Sequence, residues 1–271
     1  MTEILGIFAG RGSLPKILIE DCQKKGRKFV LFLLESEEYE IDYSEFNPIK
    51  LPYGAIDSFL QVARENKVKE LVFIGAVNKP NFSEIKPDKK GAVLIAKILA
   101  NKILGDDSVL KTVIGFFEKE GFKIIRIDDL LDCVVSKKGI LTINQPNDDN
   151  LADIQIGIKA IKAFSDFDVG QSLIVAQKQI IAVEALEGTD QMIKRCAELK
   201  FDYKDKAILI KMKKRKQSKK VDLPTIGLET INNCFASNIK GIAIQANSTL
   251  VLEKEKVIES ANKLGLFLIV I

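Results

Sequence analysis

One stretch of the chain, residues 211–230, places a dense run of cations beside a single carboxylate. Seven of the ten residues from 211 to 220 are lysine or arginine, and Asp222 is the first acid that follows them. An unpaired ion loses its hydration on burial, so the run should face either water or a polyanion. Because neighbouring cations favour the charged form of a carboxyl group, the pKa of Asp222 should fall. Asp222 is therefore predicted to be a permanent anion that holds a metal ion or orients a water molecule.

Two competing interpretations of this basic run stay open. In the first, it is a solvated lysine-rich loop, and Asp222 is only a turn residue before Pro224. In the second, it belongs to a nucleic-acid-binding module. No aromatic side chain interleaves with the lysines to stack on bases, and a net charge of +4 makes the basic bias a local one. We therefore expect no nucleic-acid partner.

The composition limits the chemistry further. The 271 residues include no histidine, which excludes mechanisms with an imidazole base, among them the usual serine and cysteine triads. Acid–base work would fall to carboxylates, lysines or a metal-bound water. Apolar residues make up 46% of the chain, as in a globular protein with a substantial core.

Cysteine spacing and the N-terminal sequence bear on the compartment. No CxxC pair occurs, so no zinc or redox motif is predicted. The apolar residues around the four cysteines predict that these are buried and that the compartment is reducing. The cysteines are Cys22, Cys133, Cys196 and Cys234. The sequence from Met1 shows no signal-peptide pattern, and the apolar runs are too short to span a bilayer. These features predict a cytoplasmic protein.

The first half of the chain begins like a Rossmann-like unit. An apolar strand over residues 4–9 precedes Gly10 and Gly12, and a helical pattern begins at Lys16. The two glycines would let the backbone approach a phosphate at the helix N-terminus. Pro15 stands where a dinucleotide fingerprint has its third glycine, which argues against NAD or FAD. A tight turn that binds nothing is an equally open interpretation.

Alternating patterns predict a parallel sheet with helices on both faces. The predicted strands cover residues 28–34, 70–74 and 122–127, and the predicted helices cover 56–65, 92–104 and 109–119. Asn78 and Lys79 follow the strand over 70–74, at the end where open α/β sheets bind ligands. Asp107 or Ser108 is the expected N-cap of the last helix, which leaves Asp106 available for binding.

Two domains and a linker are predicted: a Rossmann-like domain over residues 1–133, a linker over 134–150 and a C-terminal α/β domain over 151–271. The second domain has predicted strands over 172–176, 179–184, 207–212, 241–245 and 266–271, and helices over 151–164, 191–199, 228–235 and 253–264. Residues 177–178 read as a hairpin turn between its first two strands.

An acidic turn precedes the helix over 191–199. Glu184, Glu187 and Asp190 gather there, and Thr189 is the expected N-cap. Carboxylates and free backbone N–H groups at such a turn could hold a metal and a phosphate together. Glu184 and Glu187 are three residues apart, so at most one should reach the site unless the chain turns.

Six segments in order give the chain a resemblance to one family: residues 6–15, 75–80, 105–107, 167–172, 182–190 and 220–227. In them the chain resembles the LpxI family, the UDP-2,3-diacylglucosamine diphosphatases of lipid A biosynthesis. The resemblance implies substrate held between a Rossmann-like and an α/β domain. It also implies a Mg²⁺-dependent attack of water on the phosphorus nearer the sugar, which yields UMP and 2,3-diacylglucosamine 1-phosphate (lipid X).

The resemblance also assigns residues. Asp222 matches the family's catalytic aspartate, and Glu187 and Asp190 are predicted to share the metal with it. Predicted substrate contacts are Gly10, Gly12, Asn78, Lys79, Asp106, Gln171, Thr189, Lys214, Gln217, Lys220 and Thr225. The chain departs from the family pattern at Ser218, where an acid is usual after the glutamine, and at Lys220, where an arginine is common.

Two further expectations concern partners. The acyl chains need an apolar chamber or the membrane, and a basic surface is drawn to anionic headgroups, so we expect peripheral contact with the inner leaflet. A homodimer is left open. The remaining rival is a nucleotide- or dinucleotide-dependent enzyme on the Rossmann half, for which Glu35 is the nearest acid at the end of the second strand.

Overall fold

The chain folds into two compact units, Met1–Leu131 and Asp132–Ile271. The structure is a computed structural model, and the residues that it describes are 3–78, 81–101, 106–131, 137–164, 167, 169–199, 207–213 and 223–271.

The first unit is built on a parallel sheet. Its strands are β1 (Ile4–Ala9), β2 (Phe29–Leu34), β3 (Ile49–Leu51), β4 (Val68–Ile74) and β5 (Lys123–Ile124). Its helices are α1 (Leu14–Lys24), α2 (Ile56–Glu65), α3 (Lys89–Asn101) and α4 (Asp106–Lys119). The strand order is β3-β2-β1-β4-β5, and every pairing is parallel. The order reverses between β1 and β4, which is where open α/β sheets form a ligand crevice. The predicted Rossmann-like domain is confirmed.

Aromatic rings fix the central strands of this sheet. Phe8 on β1 stacks between Phe32 of β2 and Phe73 of β4, with centroid distances of 5.5 and 5.3 Å. Phe59 of α2 meets Phe32 edge-on at 4.8 Å and Phe117 of α4 at 5.2 Å. Offset and edge-to-face pairs at these distances are favourable beyond the area that they bury. The carboxyl ends of β1 and β4 therefore project from a rigid support.

Two predictions for this unit are wrong in detail, and one strand was missed. The strand predicted over 122–127 is only the two-residue β5, because a 3-10 turn takes up Ile127–Asp129. The strand β3 was not predicted, since three residues carry no readable alternation. Helix α4 begins at Asp106, so Asp107 and Ser108 lie inside its first turn and neither is the N-cap.

The second unit is built on a six-stranded mixed sheet and a separate two-stranded sheet. The strands of the unit are β6 (Gly139–Ile140), β7 (Ser172–Ala176), β8 (Gln179–Val183), β9 (Ala207–Lys211), β10 (Thr225–Ile226), β11 (Ile239–Ile244), β12 (Leu250–Val251) and β13 (Phe267–Val270). Its helices are α5 (Asp148–Phe164), α6 (Thr189–Cys196), α7 (Leu228–Ala236) and α8 (Lys254–Lys263). The order is β6-β13-β11-β9-β7-β8, with β9, β11 and β13 parallel, while β10 pairs with β12 alone. The expectation of a distinct α/β domain is confirmed.

Alternate residues of this sheet enter two separate cores. One cluster joins side chains such as Leu209 and Ile242 to helices α6, α7 and α8. The other joins Ile208 and Ile210 to α5. Because successive side chains of a strand point to opposite faces, the sheet is covered on both faces by helices. A Cβ at Gly157 would lie 2.8 Å from the Ile210 side chain, so α5 packs unusually close to β9.

The predicted hairpin between β7 and β8 is confirmed, and a buried acid explains its unusual turn. Gln177 and Lys178 both have positive φ, 51° and 65°, although neither is glycine or asparagine. Asp153 of α5, only 3% exposed, accepts hydrogen bonds from their backbone N–H groups at 3.0 and 2.6 Å. These charge-assisted bonds offset the cost of two left-handed residues.

Three of the four cysteines are buried and free, as predicted: Cys22, Cys196 and Cys234. Burial raises the pKa of the Cys196 thiol to about 11, so this group is protonated and unreactive at neutral pH. Cys133 lies outside the described residues.

Candidate functional site

Two loops meet at the carboxyl ends of β1 and β4. The Gly10 N–H donates to the Ile74 carbonyl at 2.7 Å. Arg11 and Ala76 then exchange two backbone hydrogen bonds, at 2.7 and 3.1 Å. Gly75 turns the second loop with a φ of 91°, a conformation that glycine adopts without strain. The two loops are thus joined at the switch point of the sheet.

A buried carboxylate lies under these loops. The side chain of Glu37 is 1% exposed. Its oxygens accept hydrogen bonds from the Asn78 backbone N–H at 3.0 Å, the Asn78 side-chain amide at 3.2 Å and the Tyr53 hydroxyl at 2.8 Å. Arg11 Nε lies 3.3 Å from Glu37 Oε2, and Arg11 Nη2 donates to Asn78 Oδ1 at 2.7 Å. Four polar groups from separate segments therefore form one closed network.

The glycine turn faces a second acid. The Gly12 N–H donates to Glu40 Oε2 at 3.3 Å. Hydrogen bonds from its own backbone N–H and from that of Gly12 lower the pKa of Glu40, so its carboxylate is ionised. A negative side chain therefore faces the Gly12 amide, at the turn where the sequence predicts a bound phosphate. The sequence pointed to Glu35 as the acid after the second strand, but the structure brings Glu37 and Glu40 to the turn instead.

The structure brings together three of the substrate contacts that were predicted in the first unit. Gly10, Gly12 and Asn78 lie together at the ends of β1 and β4. Asp106 is the first residue of α4. Lys79 lies outside the described residues.

A buried lysine ends the central strand of the second unit. Lys211, the last residue of β9, is 6% exposed, and its Nζ donates to Thr189 Oγ1 at 2.9 Å. The Thr189 hydroxyl lies 3.0 Å from Ser172 Oγ. The prediction that Thr189 caps α6 is wrong, because Gly188 precedes the helix as N-cap and a buried ammonium takes the hydroxyl instead. The sequence predicts that Lys211, in a run of cations, faces water or a polyanion, and its burial differs from that prediction.

The acidic turn before α6 sends its carboxylates in different directions. Glu187 pairs with Arg195 at 2.9 Å, and its pKa is lowered by its own backbone N–H and by that arginine. Asp190 accepts from Asn233 at 3.1 Å. Glu184 is buried and accepts from the Gln171 backbone N–H at 3.2 Å. Glu184 and Glu187 thus have different partners.

The remaining predicted contacts of this unit are described only in part. The Gln171 carbonyl accepts from the Met212 N–H at 2.9 Å, just beyond β9. The Thr225 hydroxyl donates to the Leu223 carbonyl at 3.1 Å. Four predicted residues lie outside the described ranges: Lys214, Gln217, Lys220 and Asp222.

The described acids do not form a metal site by themselves. Within the described ranges no three side chains of the histidine, cysteine, aspartate or glutamate type come close enough to hold an ion. Glu187 is engaged by Arg195 and Asp190 by Asn233. A Mg²⁺ site with these two ligands would need Asp222 and a change of partner at Glu187.

Comparison with known proteins covers both units. The LpxI N-terminal domain model matches residues 4–134, and the LpxI C-terminal domain model matches residues 137–269. A protein from Caulobacter vibrioides named UDP-2,3-diacylglucosamine pyrophosphatase LpxI is 32% identical over 270 residues, which cover 98% of this chain and 96% of that protein. Both domains occur once and in the family's order. The chain therefore belongs to the LpxI family.

Proposed function

We propose that the chain hydrolyses the diphosphate of UDP-2,3-diacylglucosamine to UMP and 2,3-diacylglucosamine 1-phosphate in lipid A biosynthesis. The observation that carries this proposal is the end-to-end similarity to the Caulobacter vibrioides protein, whose name states that activity. The two family domains support it, since they account for almost the whole chain.

In the proposed reaction, water attacks the phosphorus nearer the sugar, and the bond from that phosphorus to the bridging oxygen breaks. UMP leaves with the electron pair of that bond. Asp222 orients the attacking water as the catalytic aspartate. The diphosphate is anionic and repels a nucleophile, so fixed cations must offset its charge in the transition state. Lys214 and Lys220 are the proposed point charges for this purpose.

Lys211 adds a cation that the structure describes. Its ammonium group is buried at the end of β9, and its contact with the Thr189 hydroxyl fixes its direction. Electrostatic interactions strengthen where water is excluded. We therefore include the Lys211–Thr189 pair among the groups that bind a phosphoryl oxygen of the substrate.

The direct test is incubation of the purified chain with UDP-2,3-diacylglucosamine and Mg²⁺, with chromatographic detection of UMP. We expect UMP and the diacylated sugar phosphate in equal amounts. Heat-denatured protein is the control. Failure to release UMP under conditions where the protein is folded would refute the proposed activity.

We further propose that the activity needs Mg²⁺, which prefers oxygen ligands and would supply charge neutralisation at the diphosphate. Asp222, Glu187 and Asp190 are the proposed ligands. Dialysis against EDTA should lower turnover by about a hundredfold or more, and added Mg²⁺ should restore it. Circular dichroism checks that the apo-protein stays folded. Full turnover after chelation would contradict the metal requirement.

We also propose peripheral contact with the inner membrane, because the substrate carries acyl chains and residues 213–219 are strongly basic. None of the helices in the described ranges combines the length and the hydrophobicity that a membrane-spanning segment needs. Each Lys or Arg near an anionic surface contributes about 1 kcal/mol. Neutralising the five cations of 213–219 should therefore abolish flotation with vesicles that contain anionic lipid. Neutralising exposed Lys159 and Lys162 is the control, and unchanged flotation of the first variant would contradict the proposal.

Homodimerisation of the chain stays a prediction.

A further inference from the structure

The buried carboxylate of Glu37 needs compensating contacts, because a carboxylate loses hydration when it leaves water. The Glu37 side chain is 1% exposed and receives three hydrogen bonds, two from Asn78 and one from Tyr53, besides its ion pair with Arg11. Burial and the bond to Glu37 raise the pKa of Tyr53, which keeps its hydroxyl protonated as a donor. The carboxylate is therefore compensated on every side.

The network fixes two side chains that reach the surface. Asn78 is exposed, and one third of the Arg11 side chain is exposed. They sit on different loops, and without Glu37 each would be free to choose other rotamers. Glu37 binds both and leaves them joined by the Arg11–Asn78 hydrogen bond at 2.7 Å. The result is a pre-arranged polar surface beside Gly10, at the switch point of the sheet.

The charge of this surface indicates which part of a nucleotide it would take. Glu37 neutralises Arg11, and Glu40 adds a further negative charge at the Gly12 amide. Backbone hydrogen bonds are the main cause of the lowered pKa of Glu40. The positive charge of Arg11 lowers this pKa a little further, so the two side chains interact electrostatically. A phosphate would meet no excess of positive charge among these three side chains. A nucleoside is uncharged and offers hydroxyl and imide groups to donors and acceptors.

We propose that Glu37 is a positioning residue for the nucleoside end of the substrate, acting by fixing the Arg11 guanidinium and the Asn78 amide. The proposal rests on the function proposed above, since it assigns one end of that substrate to this surface. The sequence predicts contacts at Asn78 and Gly10, whereas we infer the roles of Glu37 and Arg11 from the geometry of the folded chain. Glu37 itself acts through its neighbours and is not a catalytic residue.

The test compares Glu37→Gln with Glu38→Gln, which removes the same charge at the exposed neighbouring position. The glutamine amide would place N–H groups against the donors of Asn78 and Arg11. We expect Glu37→Gln to raise the Kd for uridine and UMP, and the KM for the full substrate, by about tenfold to a hundredfold. The value of kcat should stay within about twofold of the wild type. The lost interaction contributes equally to binding of the substrate and of the transition state, so its loss raises KM and leaves kcat unchanged. Glu38→Gln should behave as wild type.

Two further measurements distinguish positioning from a general structural role. In an Asn78→Ala background, Glu37→Gln should add little to the loss of uridine affinity, since both changes remove the same arrangement. Inhibition by inorganic pyrophosphate should be unchanged. A loss of turnover at constant KM would indicate only a loss of folded protein, and it would overturn the proposal. A change in pyrophosphate affinity with uridine binding intact would also overturn it. Uridine binding does not require turnover, so it tests Glu37 even if the proposed hydrolysis fails.

Discussion

Replacing Asp222 by alanine should lower turnover by about a thousandfold or more while substrate binding is retained. The expected loss is large because we propose Asp222 as the catalytic aspartate, and the chain has no histidine to substitute for it. Removal of a carboxylate from a strongly basic segment leaves the charges that attract the diphosphate in place. Steady-state kinetics with UDP-2,3-diacylglucosamine give kcat, and equilibrium binding to the inactive variant gives Kd.

Glu198→Ala is the matched control for Asp222→Ala, since it removes an exposed acid from the same unit. Its kcat should equal that of the wild type. If Asp222→Ala kept its kcat within about tenfold of the wild type, the assignment of Asp222 as the catalytic aspartate would be wrong.

Replacing Gly10 by alanine should destabilise the first unit and disrupt the surface at its switch point. A Cβ at this position would lie 2.8 Å from the carbonyl carbons of Gly75 and Ala76, and closer still to the Ala76 oxygen. These are backbone atoms, held by the two hydrogen bonds between Arg11 and Ala76, so they cannot move aside cheaply. We expect a loss of about 2–3 kcal/mol in the free energy of unfolding. Calorimetry should show the Tm falling by about 5–10 °C.

Gly115→Ala is the control for this substitution. Gly115 lies within α4, and a Cβ there meets nothing within 4 Å. Because alanine has a higher helix propensity than glycine, the free energy of unfolding of this variant should be higher than that of the wild type by up to about 1 kcal/mol. A Tm for Gly10→Ala equal to that of the wild type would show that the two loops are not held as tightly as their geometry implies.

The strands and helices with a strong apolar pattern could be predicted from the sequence. Strand β1 and helix α2 have the predicted bounds, because a continuous apolar run and a clear helical period determine them locally. The short strands β3, β10 and β12 could not be predicted, since two or three residues show no period. Their pairing depends on neighbours that are distant in sequence.

The residues of the candidate site show the same division. Gly10 and Asn78 could be singled out, because glycine turns and polar residues after parallel strands are recognisable patterns. Glu37 could not, because its partner Asn78 lies 41 residues away and only the folded sheet brings them together. Lys211 was misjudged for a related reason. A lysine that begins a basic run reads as solvated, but its place at the end of a central strand buries it against Thr189.

Hydrolysis in H₂¹⁸O tests the central claim most directly, because it reports both the products and the phosphorus that water attacks. The wild-type chain is incubated with UDP-2,3-diacylglucosamine and Mg²⁺, and the products are analysed by mass spectrometry. The account predicts one ¹⁸O atom in the 2,3-diacylglucosamine 1-phosphate and none in UMP. Label in UMP, or no UMP at all, would contradict it.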